Sequence, residues 1–477
     1  MKSRTRFVFI SVFLVLVLAT LACSTVKGTP TAPSPATEAV TEKPTEKPTE
    51  AVTEKPTEKP TEEAAGEVTI VQSYGYQDSW DYYHVVGILR NDSSEPVSGL
   101  ELDVEIRDAS GKSLLMDGDA SVEFLTAYPS FYTLQPGEEA PFDFYTSIES
   151  GEPSDYVVTI TEGYEGDSED RPSLSVENTQ LITDGDGSYY LTGELVNDHN
   201  EGVYIASLVG ALFADDGTMV ATSSSYDKAY SLMPAGDERG MDRTPFSISM
   251  DAPEDGDFTD WQVYIESSED DEVVVAPISI AFTNNYLDEW DSFHLVGTLT
   301  NETEENVVYS TSLITGLYDG NGVVLDARTS SVPMYILPGE TVPFEISYFY
   351  ILEEGDNMDR FETFTVQIDP YWTYEVDYDL VDLAVTNEDA TYDSSGMWTI
   401  KGEVTNNSGS DLTSATVVAG LFDAEDTLVA MNWTYIWPDG EVIADGETYD
   451  FEIYIYADPS LDPANLFYDF IVQGVLD

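Results

Sequence analysis

The sequence predicts an all-β chain, four tandem antiparallel β-sandwiches that follow a signal peptide and a disordered Pro/Thr-rich linker. Three observations carry this expectation. Three signatures recur in the same order in four copies, residues within each copy alternate with a period of two, and residues 24–65 have almost no apolar side chain larger than Ala. At 477 residues, 42% of them hydrophobic, the chain is long enough for three or four domains and rich enough to fill their cores.

The amino terminus reads as an address and a tether. Lys2, Arg4 and Arg6 precede an apolar run from Phe7 to Ala19, which is short for a bilayer span. The run ends in Leu18-Ala-Thr-Leu-Ala-Cys23, which resembles a bacterial lipoprotein signal, with residues 1–22 removed and Cys23 lipidated. Cys23 is the single Cys of the chain, so it has no intramolecular disulfide partner. Lipid anchoring, ordinary cleavage with a free chain and an uncleaved anchor all stay open, and all three export the protein. Residues 23–66 hold Thr-Glu-Lys-Pro copies at 41–44, 45–48, 53–56 and 57–60 and have almost nothing to bury. Regular Pro favours an extended chain of about 3.1 Å per residue, suited to a spacer.

The rest is one module written four times. The first signature reads Gly87-Ile-Leu-Arg-Asn91, Gly193-Glu-Leu-Val-Asn197, Gly297-Thr-Leu-Thr-Asn301 and Gly402-Glu-Val-Thr-Asn406, with glycines 106, 104 and 105 residues apart. The second is Ile106-Arg-Asp, Leu212-Phe-Ala, Leu317-Tyr-Asp and Leu421-Phe-Asp, each followed by turn residues. The third is a turn such as Leu337-Pro-Gly-Glu340, followed in the four copies by Phe142, Phe246, Phe344 and Phe451. Trp398, Ile400, Gly402 and Val404 share one side of a strand while Thr399, Lys401, Glu403 and Thr405 share the other. Sandwiches are expected over 67–162, 172–267, 274–369 and 379–477, each burying its own core. Copies one and three share Tyr-x-Asp-x-Trp-Asp-x-x-His-x-Val-Gly (76–87 and 286–297) and two and four lack it, an A-B-A-B array.

Gly316-Leu-Tyr-Asp319 and Gly420-Leu-Phe-Asp423, between a Gly-x-(Val/Leu)-x-Asn strand and a turn before Phe, resemble the FxLYD domain family. The resemblance implies immunoglobulin-like β-sandwiches of the kind found in bacterial and archaeal secreted proteins and lipoproteins, over residues 67–477.

Charge limits the partners. Residues 1–65 hold eight Lys/Arg and eight Glu, so the net −73 falls entirely on the folded part, with 83 acidic against ten basic side chains. Such a surface repels phosphates and anionic headgroups, which excludes nucleic acid. Surface carboxylates that recruit Ca²⁺ are an alternative to a plain solubility surface.

Candidate chemistry is sparse. Trp80, His84, Trp290 and His294 form the only repeating constellation and are the candidate ligand contacts. Parity places the two His on the outward side, which favours a solvated face over sugar or peptide contact or metal ligation. Three His and one exported Cys cannot supply a His-based hydrolase in every copy or a Cys/His zinc site. The acidic joints at 162–171 and 267–272 would either chelate cations or stay hydrated, and the aromatic joint at 369–378 would either pack between copies or, the favoured reading, be core strand for both flanking copies. Asn91, Asn301, Asn406 and Asn432 stand in sequons better read as turn chemistry. The expected function is non-enzymatic, with no cofactor. It is a lipid-anchored surface protein displaying its modules for binding, adhesion or spacing, with an envelope or extracellular protein or glycan as partner. The alternative is a secreted carbohydrate-binding accessory or a polysaccharide-acting enzyme.

Overall fold

The computed structural model describes residues 68–476, apart from 79–81, 115–124, 149–150, 169–170, 173, 184–187, 251, 254–257, 271–272, 291, 310, 348–357, 372–373, 377–378, 394–395 and 438–441. Cys23, the signal and the tether therefore lie outside the described residues, as does Trp80.

The described chain is all-β, with antiparallel pairing throughout, and its only helical elements are two short 3-10 turns. Four consecutive stretches each form a pair of main sheets. The first holds β1 (Val68–Gln77), β2 (Tyr82–Asn91), β3 (Val97–Arg107), β4 (Leu125–Ala127), β5 (Thr133–Leu134), β6 (Glu139–Ser147) and β7 (Asp155–Glu165). The second holds β8 (Leu174–Thr183), β9 (Tyr189–Asn197), β10 (Gly202–Phe213), β11 (Met219–Ser224), β12 (Ser231–Leu232), β13 (Arg243–Met250) and β14 (Asp260–Asp270). The third holds β15 (Ile278–Leu287), β16 (Phe293–Asn301), β17 (Val307–Tyr309), β18 (Ser312–Asp319), β19 (Val324–Ser331), β20 (Thr341–Ile346), β21 (Phe361–Ile368) and β22 (Tyr374–Val376). There β17 and β22 add a separate two-stranded sheet. The fourth holds β23 (Leu380–Asp382), β24 (Val385–Tyr392), β25 (Met397–Thr405), β26 (Leu412–Phe422), β27 (Leu428–Ile436), β28 (Thr448–Tyr456) and β29 (Phe467–Leu476). Each pair sets a three-stranded sheet, such as β1-β2-β6 or β24-β25-β28, against a second sheet built on β3, β10, β18 or β26.

The repeated signatures are the fasteners of this pattern. Each signature glycine stands directly opposite its phenylalanine across the sheet: Gly87 to Phe142, Gly193 to Phe246, Gly297 to Phe344 and Gly402 to Phe451. The ring lies over the glycine. A Cβ on Gly297 would sit 2.6 Å from the Phe344 ring and 2.5 Å from the carbonyl oxygen of Ala281, so only glycine fits. Each signature asparagine is a buried pin. Asn301 Nδ2 donates to Asn306 O (2.9 Å) and Ile336 O (2.7 Å), while its Oδ1 accepts from Thr303 N (2.9 Å). Asn91, Asn197 and Asn406 repeat the same three bonds, tying the strand end to the turn that follows and to the edge strand beyond. The second signature closes a hairpin: Asp319 Oδ1 accepts from Asn321 N and Val323 N, and Asp423 does the same for Glu425 and Thr427.

The expectation that each sandwich buries its core alone is corrected. The described residues form one compact unit, and apolar clusters run across the sheet pairs. Val209, Ala211, Met219 and Tyr264 of the second pair join the core of the first, and Ile314 of the third joins that of the second. The third and fourth share one cluster.

The sequence carries the reason in one row of outward residues. It reads Ser207-Val209-Ala211-Phe213, Ser312-Ile314-Gly316-Tyr318 and Thr416-Val418-Gly420-Phe422 in the last three pairs, uncharged throughout, with Val209, Ala211 and Phe213 on the core of the first pair, Ile314 in that of the second and Thr416 donating to Pro333 O of the third. In the first pair, which has no preceding pair among the described residues, the row is Glu101-Asp103-Glu105-Arg107, with Arg107 paired to Glu105. The opposite end is also charged. On the outer sheet of the fourth pair Lys401 binds Glu452 at 2.9 Å, while the equivalent Thr192 of the second pair donates to Val324 O of the third at 2.7 Å. Apolar faces between units and polar faces at both ends are the pattern of a stacked repeat array with capped termini.

Candidate functional site

The two repeated histidines lie on the outward side of β2 and β16, as parity predicts, but not in solvent. His84 is 2% exposed and His294 5%. His84 lies between two rings, with centroid distances of 4.8 Å to Tyr76 and 5.5 Å to Tyr145. Its Nε2 meets Asp78 Oδ2 and its Nδ1 meets Asp143 Oδ1, both at 3.3 Å. His294 stacks on Tyr286 at 4.7 Å and meets Asp288 Oδ2 (3.3 Å) and Glu345 Oε1 (2.8 Å). The solvated-face reading fails because tyrosines, and in the third pair a neighbouring unit, cover that side. Glu345 Oε2 accepts from Met431 N (2.9 Å) and Tyr286 OH donates to Tyr456 O (2.7 Å), so the His294 cluster is part of the joint to the fourth pair.

Burial lowers the basicity of each imidazole, but the flanking carboxylates outweigh it and hold both above their ordinary value. A carboxylate facing each ring nitrogen favours the protonated ring and leaves neither nitrogen for a substrate. The sign of the linkage follows. A raised folded-state pKa gives stability that is complete below about pH 6.5 and lost as pH rises through the folded value. The difference in denaturation midpoint between the native chain and His294→Gln is therefore expected to shrink as pH rises from 6 to 9. Parallel curves would contradict the imidazolium assignment.

Of the four candidate contacts, Trp290 is 67% exposed on the β15–β16 turn, where its backbone N–H donates to Asp288 Oδ1 (2.8 Å). The structure thus separates the constellation into a buried clasp and one exposed indole. Sequence reading missed Asp143 and Glu345, although each directly follows its signature phenylalanine.

The joints are built rather than hydrated. Arg171, in the first acidic joint, donates to Thr133 O (2.7 Å) and Ser267 O (3.0 Å) and pairs with Glu138 (3.4 Å) and Glu266 (3.3 Å). Glu266 also accepts from Tyr132 N and Thr133 N, both at 3.0 Å. Asp369 and Gln473 occupy the equivalent place at the next two joints and accept from Tyr230 N (3.0 Å) and Tyr335 N (2.9 Å). Lys228 is buried beside Asp369. Its Nζ lies 3.7 Å from the Tyr230 ring centroid, and desolvation pushes it down to about 8. Burial pushes Asp369 up to about 6. Among the described residues no group of three or more His, Cys, Asp or Glu side chains is placed to hold a metal ion.

No family model and no curated protein matches the chain. Solved structures that share some of its β architecture include red sea bream transglutaminase (13% identity, 43% of this chain, 31% of that chain, TM-score 0.15). They also include Bacteroides uniformis β-glucuronidase (11%, 53% and 26%, TM-score 0.12) and native E. coli α-2-macroglobulin (9%, 84% and 28%, TM-score 0.12). The chain matches less than a third of the length of each, and likenesses this low carry no argument about function.

Proposed function

We propose that this chain is an exported lipoprotein, anchored through Cys23, that holds a stack of immunoglobulin-like sandwiches away from the membrane as a non-enzymatic display. The main support is the stack itself: units joined through apolar faces and closed by charged faces at both ends make a finite body of fixed length. Such a body suits presenting or spacing a surface. The FxLYD resemblance and the Pro-rich tether agree with that role. The partner is an envelope or extracellular protein or glycan, since net charge −73 disfavours nucleic acid. No cofactor is required by this reading, and at the first acidic joint Arg171 pairs with Glu138 and Glu266.

Mass spectrometry of the mature amino terminus tests the anchor. A diacylated or triacylated Cys23 in the membrane fraction is the expected result. A mature chain that starts elsewhere and is recovered from the medium would overturn the anchoring. Release of reducing ends from a polysaccharide by the purified chain would overturn the non-enzymatic part.

A further inference from the structure

We infer that the shoulder between the third and fourth sheet pairs is a binding face for an uncharged glycan chain, a conclusion that rests on the display reading and names its partner class. Two groups of aromatic residues stand there, three on the fourth pair and two on the third. Along β27 and just past it, Trp433, Tyr435 and Trp437 alternate on the side that faces the third pair. Their neighbouring centroids lie 4.8 and 5.7 Å apart and their planes are tilted by 67° and 54°. From the third pair, Tyr309 and Tyr335 stack at 4.1 Å, and burial, with a smaller contribution from Tyr309, raises the Tyr435 phenol above its ordinary value. Tyr335 is fixed from the fourth pair by Gln473, which accepts from its N–H (2.9 Å) and donates to its carbonyl (3.0 Å).

The rings do no core work where they are most exposed. Trp437 is 68% exposed, and Trp433 and Tyr435 are also exposed although their strand starts in the shared core at Leu428–Met431. The equivalent positions on β19 at the preceding joint are Thr329, Ser331 and Pro333, so stacking the units does not require aromatic residues there. A cluster of exposed Trp and Tyr beyond what packing uses marks a contact surface.

Charge chooses the occupant. With 83 acidic and ten basic side chains from residue 66 onward, the surface is dense in hydrogen-bond acceptors, poor in donors and strongly negative. Anionic polymers are repelled. A polycation would bind through carboxylates anywhere on the body and gain little from this one shoulder. A neutral glycan brings hydroxyl donors for the carboxylates and apolar C–H faces for rings that have both an apolar face and a polar edge.

Native affinity electrophoresis of the full-length chain, in gels cast with soluble neutral glucan, mannan or xylan, tests this. Parallel gels contain polygalacturonate or glycol chitosan. At least one neutral glycan is expected to retard the chain, and the Trp433→Ala/Trp437→Ala variant is expected to bind it at least tenfold more weakly with an unchanged denaturation midpoint. Trp437→Ala alone, which removes only an exposed ring, is expected to lose several-fold and guards against a misfolded double variant. No retardation by any neutral glycan would overturn the proposal. So would retardation unaffected by either variant, or variants that weaken retardation by a charged polymer as much as by the neutral glycan. Self-association that disappears in the variants would assign the shoulder to a second copy instead. The display reading stands or falls separately, on the Cys23 mass and the reducing-end assay.

Discussion

Asn301→Ala is expected to destabilise the chain by on the order of 3 kcal/mol, far more than a surface substitution. The side chain is fully buried and supplies both donors to the carbonyls of Asn306 and Ile336 and an acceptor to Thr303 N. Alanine leaves all three backbone groups without their side-chain partner in a place water does not reach. Asn301→Asp is expected to fare no better, because it keeps the acceptor but turns a carboxylate oxygen toward two carbonyls. The control is Asn432→Ala, in the fourth sequon, where the side chain is exposed and its loss should cost less than about 1 kcal/mol. Denaturant midpoints read both. Equal effects at the two positions would show that the signature asparagines are ordinary turn residues. The same geometry means that glycosylation of Asn91, Asn301 or Asn406 would require the pin to be withdrawn first.

Ile314→Asp carries the second large effect. Ile314 is buried in the core of the preceding sheet pair, so an aspartate there places a charge without a built partner between two units. A loss of about 3–5 kcal/mol is expected. The first pair has an aspartate at the matching position, Asp103, so the residue is compatible with the strand itself and the penalty belongs to the contact. Asp103→Ile is therefore expected to shift the midpoint by less than about 0.5 kcal/mol.

Much of the fold was legible because its fasteners are local and repeated. Gly87 and Phe142, or Gly402 and Phe451, recur at fixed spacing because a ring over a glycine needs both residues in one register. Period-two alternation correctly separated Trp398 and Ile400 from Thr399 and Lys401. What alternation cannot tell is whether the outward side meets water or another sandwich. His84 and His294 were on the side expected, yet buried. Comparing rows between copies would have shown the difference, since Asp103 and Glu105 give way to Val209 and Ala211 and to Ile314 and Gly316. The joint partners were out of reach for another reason: Glu266 serves Tyr132, and Gln473 serves Tyr335, across more than 130 residues with no motif to link them. The aromatic shoulder was hidden in the same way, because Tyr309 and Tyr335 of the third pair and Trp433–Trp437 of the fourth are far apart in sequence.

Hydrogen exchange measured by mass spectrometry on the full-length chain, with and without Ile314→Asp, addresses the stacking of the units most directly. Faster exchange is expected in both β18 of the substituted unit and β9 and β13 of the unit before it, because one apolar contact protects both sides. Acceleration confined to β18, with β9 and β13 unchanged, would mean that the sandwiches fold as independent beads and that the faces between them are not shared.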